Sequence, residues 1–202
     1  MKSLQVSALL CVVLGLAGCA GYKARPLVKL NTGVRPGSKD KSLSFAYHVF
    51  NKRDCKQYLD RDVIEQGYQP IHITLTNNSS RRLNLDTDSF SVAVVSPDEI
   101  AKKVHTSTAA RAAGYGIPGL FFWPLLIPAV IDSVNSAEAN KQLDADFDQK
   151  TVHNQEIAPY SSINGLIFVP TENFTTAFDF SVIDVETGQR FVLSTNRVTL
   201  TV

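Results

Sequence analysis

The sequence predicts a mainly β protein, an antiparallel β-sandwich interrupted once by a helical, apolar insertion. Three observations carry this reading. Short stretches alternate apolar and polar residues before residue 96 and again after residue 151. Clusters of Asn, Ser, Pro and Gly separate them, as turns separate strands. Between the two groups lies a run without charge, from Ala112 to Ile131. The chain has 202 residues, 44% hydrophobic and 19% charged, which is globular rather than disordered composition. Its 20 Lys and Arg face 19 Asp and Glu, so it lacks the basic excess of a nucleic-acid binder.

The first element is a targeting segment. Met1-Lys2-Ser3 is a short positive start, Leu4 to Leu16 is mostly apolar, and small residues follow. That is the layout of a secretory signal, too short to span a bilayer of about 20 residues. Leu16-Ala17-Gly18-Cys19 resembles the lipobox of bacterial lipoproteins. The resemblance implies cleavage before Cys19 and acylation (palmitate among the chains) on its sulfur and new amino group. More than one acyl chain is what stable attachment requires. Residue 20 is Ala rather than Asp, and in Gram-negative lipoproteins this implies export to the outer membrane, facing the periplasm or the outside. Residues 1–18 are therefore expected as signal, and 19–42, with Pro26, Gly33, Pro36 and Gly37, as lipidated Cys and tether. The sandwich is expected over 43–202, with the insertion at 96–150.

Signal cleavage leaves Cys55 as the one cysteine besides the lipidated Cys19, so no disulfide staples the body. Cys55 stands among Arg53, Lys52 and Lys56, cations that lower a thiol pKa, and His48 lies seven residues earlier. A thiol-dependent enzyme using this pair is one reading, and a small buried residue at a turn or short helix is the other. His48, His72, His105 and His153 have no metal-ligand spacing. Asp144, Asp146 and Asp148 mimic the start of a calcium loop, but Gln149 and Gln155 occupy the positions that need Gly and Glu. A solvated acidic surface is the reading for them, as for Asp86 and Asp88. No nucleophile elbow, phosphate loop or dinucleotide fingerprint occurs, so no catalytic residue, metal or cofactor is expected.

Strands are expected at 43–50, 71–76, 83–85 and 90–95. Leu43, Phe45, Tyr47 and Val49 form one buried face, and Ile71, Ile73 and Leu75 another. Residues 51–67 suggest a short helix or structured loop. After the insertion, strands are expected at 152–157, 163–169, 177–183, 190–193 and 198–202, with Glu186-Thr187-Gly188-Gln189 as a hairpin turn. The stretch from Ile71 to Phe90, and Ile157-Ala158-Pro159 with Gly165 to Val169, are similar to immunoglobulin-like envelope domains. That resemblance implies an immunoglobulin-like β-sandwich, a fold that by itself fixes no activity.

Within the insertion, Ser96-Pro97-Asp98-Glu99 reads as a helix start, with Gly114 as its end. A second helix is expected over about 132–149, with Leu143 and Phe147 sharing a face with Asn140 and Ser136. The uncharged run would extend about 30 Å as a helix, the hydrocarbon thickness. A single crossing would separate strands that belong to one sandwich, and Pro118, Pro124 and Pro128 break helical bonding. The run is left as internal packing, as an interfacial hairpin in one leaflet, or as a surface for an envelope protein. Leu120, Phe121, Phe122, Trp123, Leu125 and Leu126 are the candidate contact. The block 98–150 looks like an arrangement in uncharacterised bacterial lipoproteins, which supplies no mechanism. The expected function is a membrane-anchored, non-catalytic binding or assembly module with 114–131 as its contact. A structural spacer with the insertion as core is the alternative, and the thiol enzyme is the third reading.

Overall fold

The computed structural model describes residues 22–31, 42–105 and 126–195, with the backbone alone over 126–136. The elements run β1 (Leu43–Val49), α1 (Lys52–Tyr58), β2 (Tyr68–Asn77), β3 (Leu83–Leu85), α2 (Pro97–Val104), α3 (Leu126–Lys150), β4 (Gln155–Ile157), β5 (Ser162–Pro170), β6 (Asp179–Asp184) and β7 (Arg190–Ser194). Two compact units divide the chain: Met1–Lys23 with His105–Ala145, and Ala24–Val104 with Asp146–Val202. The second holds both sheets. Of the first, the described part is chiefly α3 up to Ala145, where Gln142 bonds to Glu138 one turn away and His105 Nε2 lies 2.5 Å from Asp144 Oδ1.

All paired strands are antiparallel, in a three-stranded sheet of order β1-β2-β5 and a four-stranded sheet of order β4-β3-β6-β7. Their inner faces share one core. Tyr47, Ile71, Ile73, Leu75, Ile163, Ile167 and Val169 come from the first sheet, and Leu83, Leu85, Ile157, Phe180 and Val182 from the second. Phe180 bridges the layers, with Phe45 edge-on at 4.8 Å and Phe90 stacked at 4.8 Å. These contacts join the sheets as a β-sandwich. Period-two alternation therefore marks the inner face correctly for β1, β2 and β6.

The strand expected at 90–95 does not form. This stretch changes sheets instead. Ser91 N–H donates to Asp179 O on β6, while Val95 N–H donates to Phe168 O on β5. A segment crossing between layers cannot build a ladder, although Phe90 and Val92 still enter the core. The same happens on the return. Val152 N–H donates to Leu166 O on β5, and only Gln155–Ile157 of the stretch expected at 152–157 pairs with β3. The strand expected at 177–183 begins at Asp179, and that expected at 198–202 lies outside the described residues.

Local chemistry sets the helices. Asn51 caps α1, accepting from Arg53 N–H and Asp54 N–H, while Asp54 Oδ2 accepts from Asn51 N–H. Ser96 accepts from Glu99 N–H at the start of α2, with Pro97 in the first turn as expected. That helix ends at Val104, and the end expected at Gly114 lies outside the described residues. Helix α3 starts at Leu126 rather than near 132, which puts Pro128 in its first turn, where no intrahelical N–H is needed. Ala139, Leu143 and Phe147, four residues apart, are buried.

The expected hairpin turn joins β6 to β7. Gly188 adopts φ 70°, and Asp184, 2% exposed, accepts from Glu186 N–H and Thr187 N–H. The backbone donor of Thr187, then that of Glu186, with Arg81 nearby, holds this carboxyl below its ordinary pKa.

Gly165 marks the tightest approach. A Cβ there would stand 2.9 Å from Lys150 O and 2.9 Å from Val152 Cγ2, where the chain returns across β5. Gly165→Ala is expected to lower stability by about 1–3 kcal/mol, because backbone must move. An unchanged urea midpoint would show that the return segment yields freely.

Candidate functional site

Cys19 and the contact residues Leu120, Phe121, Phe122, Trp123 and Leu125 lie outside the described residues, and Leu126 is described only as the first residue of α3. What the fold does define is where the insertion leaves and returns. Val95 and Thr151 both bridge β5, at Phe168 and Leu166, on the edge of the three-stranded sheet that β2 does not occupy. Strands on either side of the insertion are hydrogen-bonded neighbours: β2 with β5, β3 with β4 and β6. A chain so built leaves and returns on one side of any membrane. Among the described residues no helix is long and apolar enough to cross one.

The outer face of the three-stranded sheet is partly covered, with Asn164 left exposed. β5 is buried on both faces from Gly165 to Val169. Phe147 of α3 stacks on Phe168 at 5.8 Å, and Lys150, 7% exposed, donates to Tyr58 O and Asp146 Oδ2. α2 is tied to β2 by the hydrogen bond from Tyr68 to Glu99 and by Lys103 over the Tyr68 ring. Residues 24–31, expected as tether, are also held to this unit. Arg25 N–H donates to Gln57 O at 2.9 Å, Leu30 N–H to Thr74 Oγ1 at 3.1 Å, and Lys29 Nζ to Ser162 Oγ at 2.5 Å.

A polar cluster lies near this segment, with His72 and Thr74 buried and Asn164 exposed, and was not singled out from the sequence. Thr74 Oγ1 donates to Asn164 Oδ1 at 2.7 Å, and His72 Nε2 stands 2.9 Å from the same oxygen. Thr74 thus accepts from Leu30 while donating to Asn164, so it links the segment to two strands. Alternation had put His72 and Thr74 on the solvent side. Both are buried, because a second layer covers that face. Burial, the largest effect, pushes the His72 pKa down; its cross-strand partner His48 adds to this and Asn164 opposes it.

The Cys55 and His48 pair does not form a thiol–imidazole couple. Cys55 is fully buried in α1, and burial, then Asp62, raise its pKa to about 11. Asp54 is part of that rise, so the expectation that nearby cations lower it is corrected. Lys52 and Lys56 are engaged with Glu65 and Asp60 instead. His48 Nε2 lies 2.9 Å from Asp54 Oδ2, tying β1 to α1.

The acidic triplet sits on a helix, not in a loop, and each carboxylate meets a different cation-forming side chain. Asp144 pairs with His105, Asp146 with Lys150 and Asp148 with His153. Asp86 caps a 3-10 turn by accepting from Asp88 N–H. Among the described residues no group of three or more His, Cys, Asp or Glu is placed to hold a metal ion. No protein-family model, no curated protein and no solved structure matches the chain.

Two outcomes follow from these geometries. The folded chain protonates His72 at lower pH than the unfolded chain does. Its contribution to stability is therefore intact above about pH 6.5 and is lost as pH falls through and below it. Urea midpoints on either side of that pH should show the fall, and His72→Gln should reduce it; an equal fall in the variant would exclude His72 as its source. For Cys55, a rise from 9.0 to about 11 makes the thiolate about a hundredfold scarcer. A thiol reagent should label Cys55 only after denaturation, and rapid labelling of the native protein would contradict the burial.

Proposed function

We propose that the chain is a lipid-anchored envelope lipoprotein acting as a non-catalytic binding or assembly module. It is held through Cys19 at the outer membrane and makes its contact through 114–131. One observation carries the reading: the insertion leaves and returns at a single edge of β5, while the strands before and after it pair with one another. In this reading the sandwich is a platform, and the inserted segment serves a partner without altering strand pairing. The lipobox and the uncharged run from Ala112 to Ile131 supply the anchor and the contact. The non-catalytic reading is supported by the suppressed Cys55 thiol and by the engagement of His48 with Asp54.

The sandwich is immunoglobulin-like in this reading. Lettering the strands A to G in chain order gives A-B-E in one sheet and D-C-F-G in the other. Constant-type domains keep the fourth strand beside the fifth, whereas here it pairs with the third. Domains of this architecture mostly bind or space other molecules, which suits an envelope module.

Replacing Phe121, Phe122 and Trp123 together by Ser is expected to abolish binding of the segment to lipid vesicles or to a crosslinked envelope protein. The far-UV strand signal and the cooperative melt should persist. Loss of both would assign the segment to the core and favour the structural spacer.

A further inference from the structure

The chain between Cys19 and the sandwich is shorter and more cationic than a tether needs to be. Residues 19–39 contain Lys23, Arg25, Lys29, Arg35 and Lys39, with no Asp or Glu before Asp40. The rest of the chain holds 15 Lys and Arg against 19 Asp and Glu, so the run is a local cationic excess in an otherwise acidic protein. Part of the run is immobilised. From Arg25 to Leu30 it is hydrogen-bonded to α1, β2 and β5, through Gln57, Thr74 and Ser162. Arg25 and Lys29 are exposed, and Val28 between them is 67% exposed. An exposed valine alone needs no explanation. One set between two exposed cations, on a fixed strap, in an acid-free run, has the chemistry of a surface that meets phosphate headgroups.

Chain length agrees with this. Five residues lie between Cys19 and Arg25, so at full extension the strap begins within about 20 Å of the lipidated residue. The full stretch to residue 42 would have allowed several times that reach. Screening over about 8–10 Å means that these cations act only if the strap lies at the bilayer surface, which this short reach allows. The opposite face of the sandwich differs. Val192 is also 67% exposed, and it points away from the core between Phe191 and Leu193. That outer face is mixed in sign, with exposed Asp179, Glu156 and Arg190, and Arg82 Nη1 3.9 Å from Glu156 Oε2, so Val192 reports a face without an acid-free cationic run.

We propose that Ala24–Asn31 is a second membrane contact. It seats the outer side of the β1-β2-β5 sheet on an anionic phospholipid surface, with Arg25 and Lys29 against phosphates and Val28 at the headgroup boundary. The proposal rests on lipid attachment at Cys19 and specifies the orientation that attachment produces.

The experiment uses the full chain, produced in a bacterium so that it is processed and acylated, with Val28→Cys or Val192→Cys. Cys55 is buried and Cys19 acylated, so each variant takes one environment-sensitive dye at the new thiol. Vesicles are phosphatidylcholine alone or with phosphatidylglycerol, and carry a lipid-borne quencher. Flotation reads the anchor, and dye quenching reads the strap. The Val28 dye should be quenched severalfold more than the Val192 dye when phosphatidylglycerol is present. High salt, or Arg25→Glu with Lys29→Glu, should remove the difference while the protein still floats. Equal quenching at the two positions, or quenching at 28 that ignores phosphatidylglycerol and salt, overturns the proposal and leaves the anchor standing. Failure to float overturns the anchor and the proposal with it.

Discussion

The antiparallel pairing of β2 with β5 is the interaction on which the rest depends. It runs through nine residue pairs, Tyr68 with Pro170 to Thr76 with Ser162. It closes the chain across everything between Asn77 and Ser162. Loop-closure entropy grows slowly with length, so a long excursion costs little more than a short one once the two strands meet. What holds them together is burial on both sides. Ile71, Ile73, Leu75, Ile163, Ile167 and Val169 face the four-stranded sheet, while Phe168 faces Phe147. Each such fully buried side chain contributes about 1.5–3 kcal/mol.

The free edge of β5 then organises the insertion. Val95 reaches it on the way out and Thr151 on the way back, one antiparallel and the other parallel. Both are single bridges rather than ladders. They leave room for the chain to change sheets at each end, and the return passes so close that residue 165 must be glycine. The excursion is thus fastened at both ends to a strand already fixed by β2. A segment fastened in this way can differ in chemistry from the sandwich without disturbing strand pairing.

The outer face of the same sheet explains the groups that carry titration and thiol chemistry. Helix α1, the end of α3 and the strap at 24–31 belong to the same unit as that sheet, and His72, Thr74 and Cys55 lose solvent. Burial then suppresses the charge of the imidazole and the thiolate alike. Polar satisfaction comes from neighbours that are distant in the chain. Thr74 is shared between Leu30 and Asn164, and the buried Lys150 is answered by Asp146 and a carbonyl of α1. Such groups read as functional in a list of reactive side chains, yet here they serve packing.

The residues by themselves determined what depends on neighbours in sequence. Period-two alternation marked β1, β2 and β6, the Ser96 cap accompanies a helix, and the hairpin turn at 186–189 forms around Gly188. Tertiary structure decided what depends on contacts across the chain. Alternation at 90–95 and 152–154 meant core burial without a ladder, because those stretches pass between layers. The face of His72 and Thr74 looked solvent-exposed, because a strand's pattern records polarity and not what lies over it. Residues 24–31 looked like a linker, since backbone bonds to α1 and β2 leave no mark in composition. The resemblance of Leu16–Cys19 to a lipobox and the cationic run are chemical signals, readable without a fold. Their geometry relative to the sandwich came only from the hydrogen bonds that hold the strap in place.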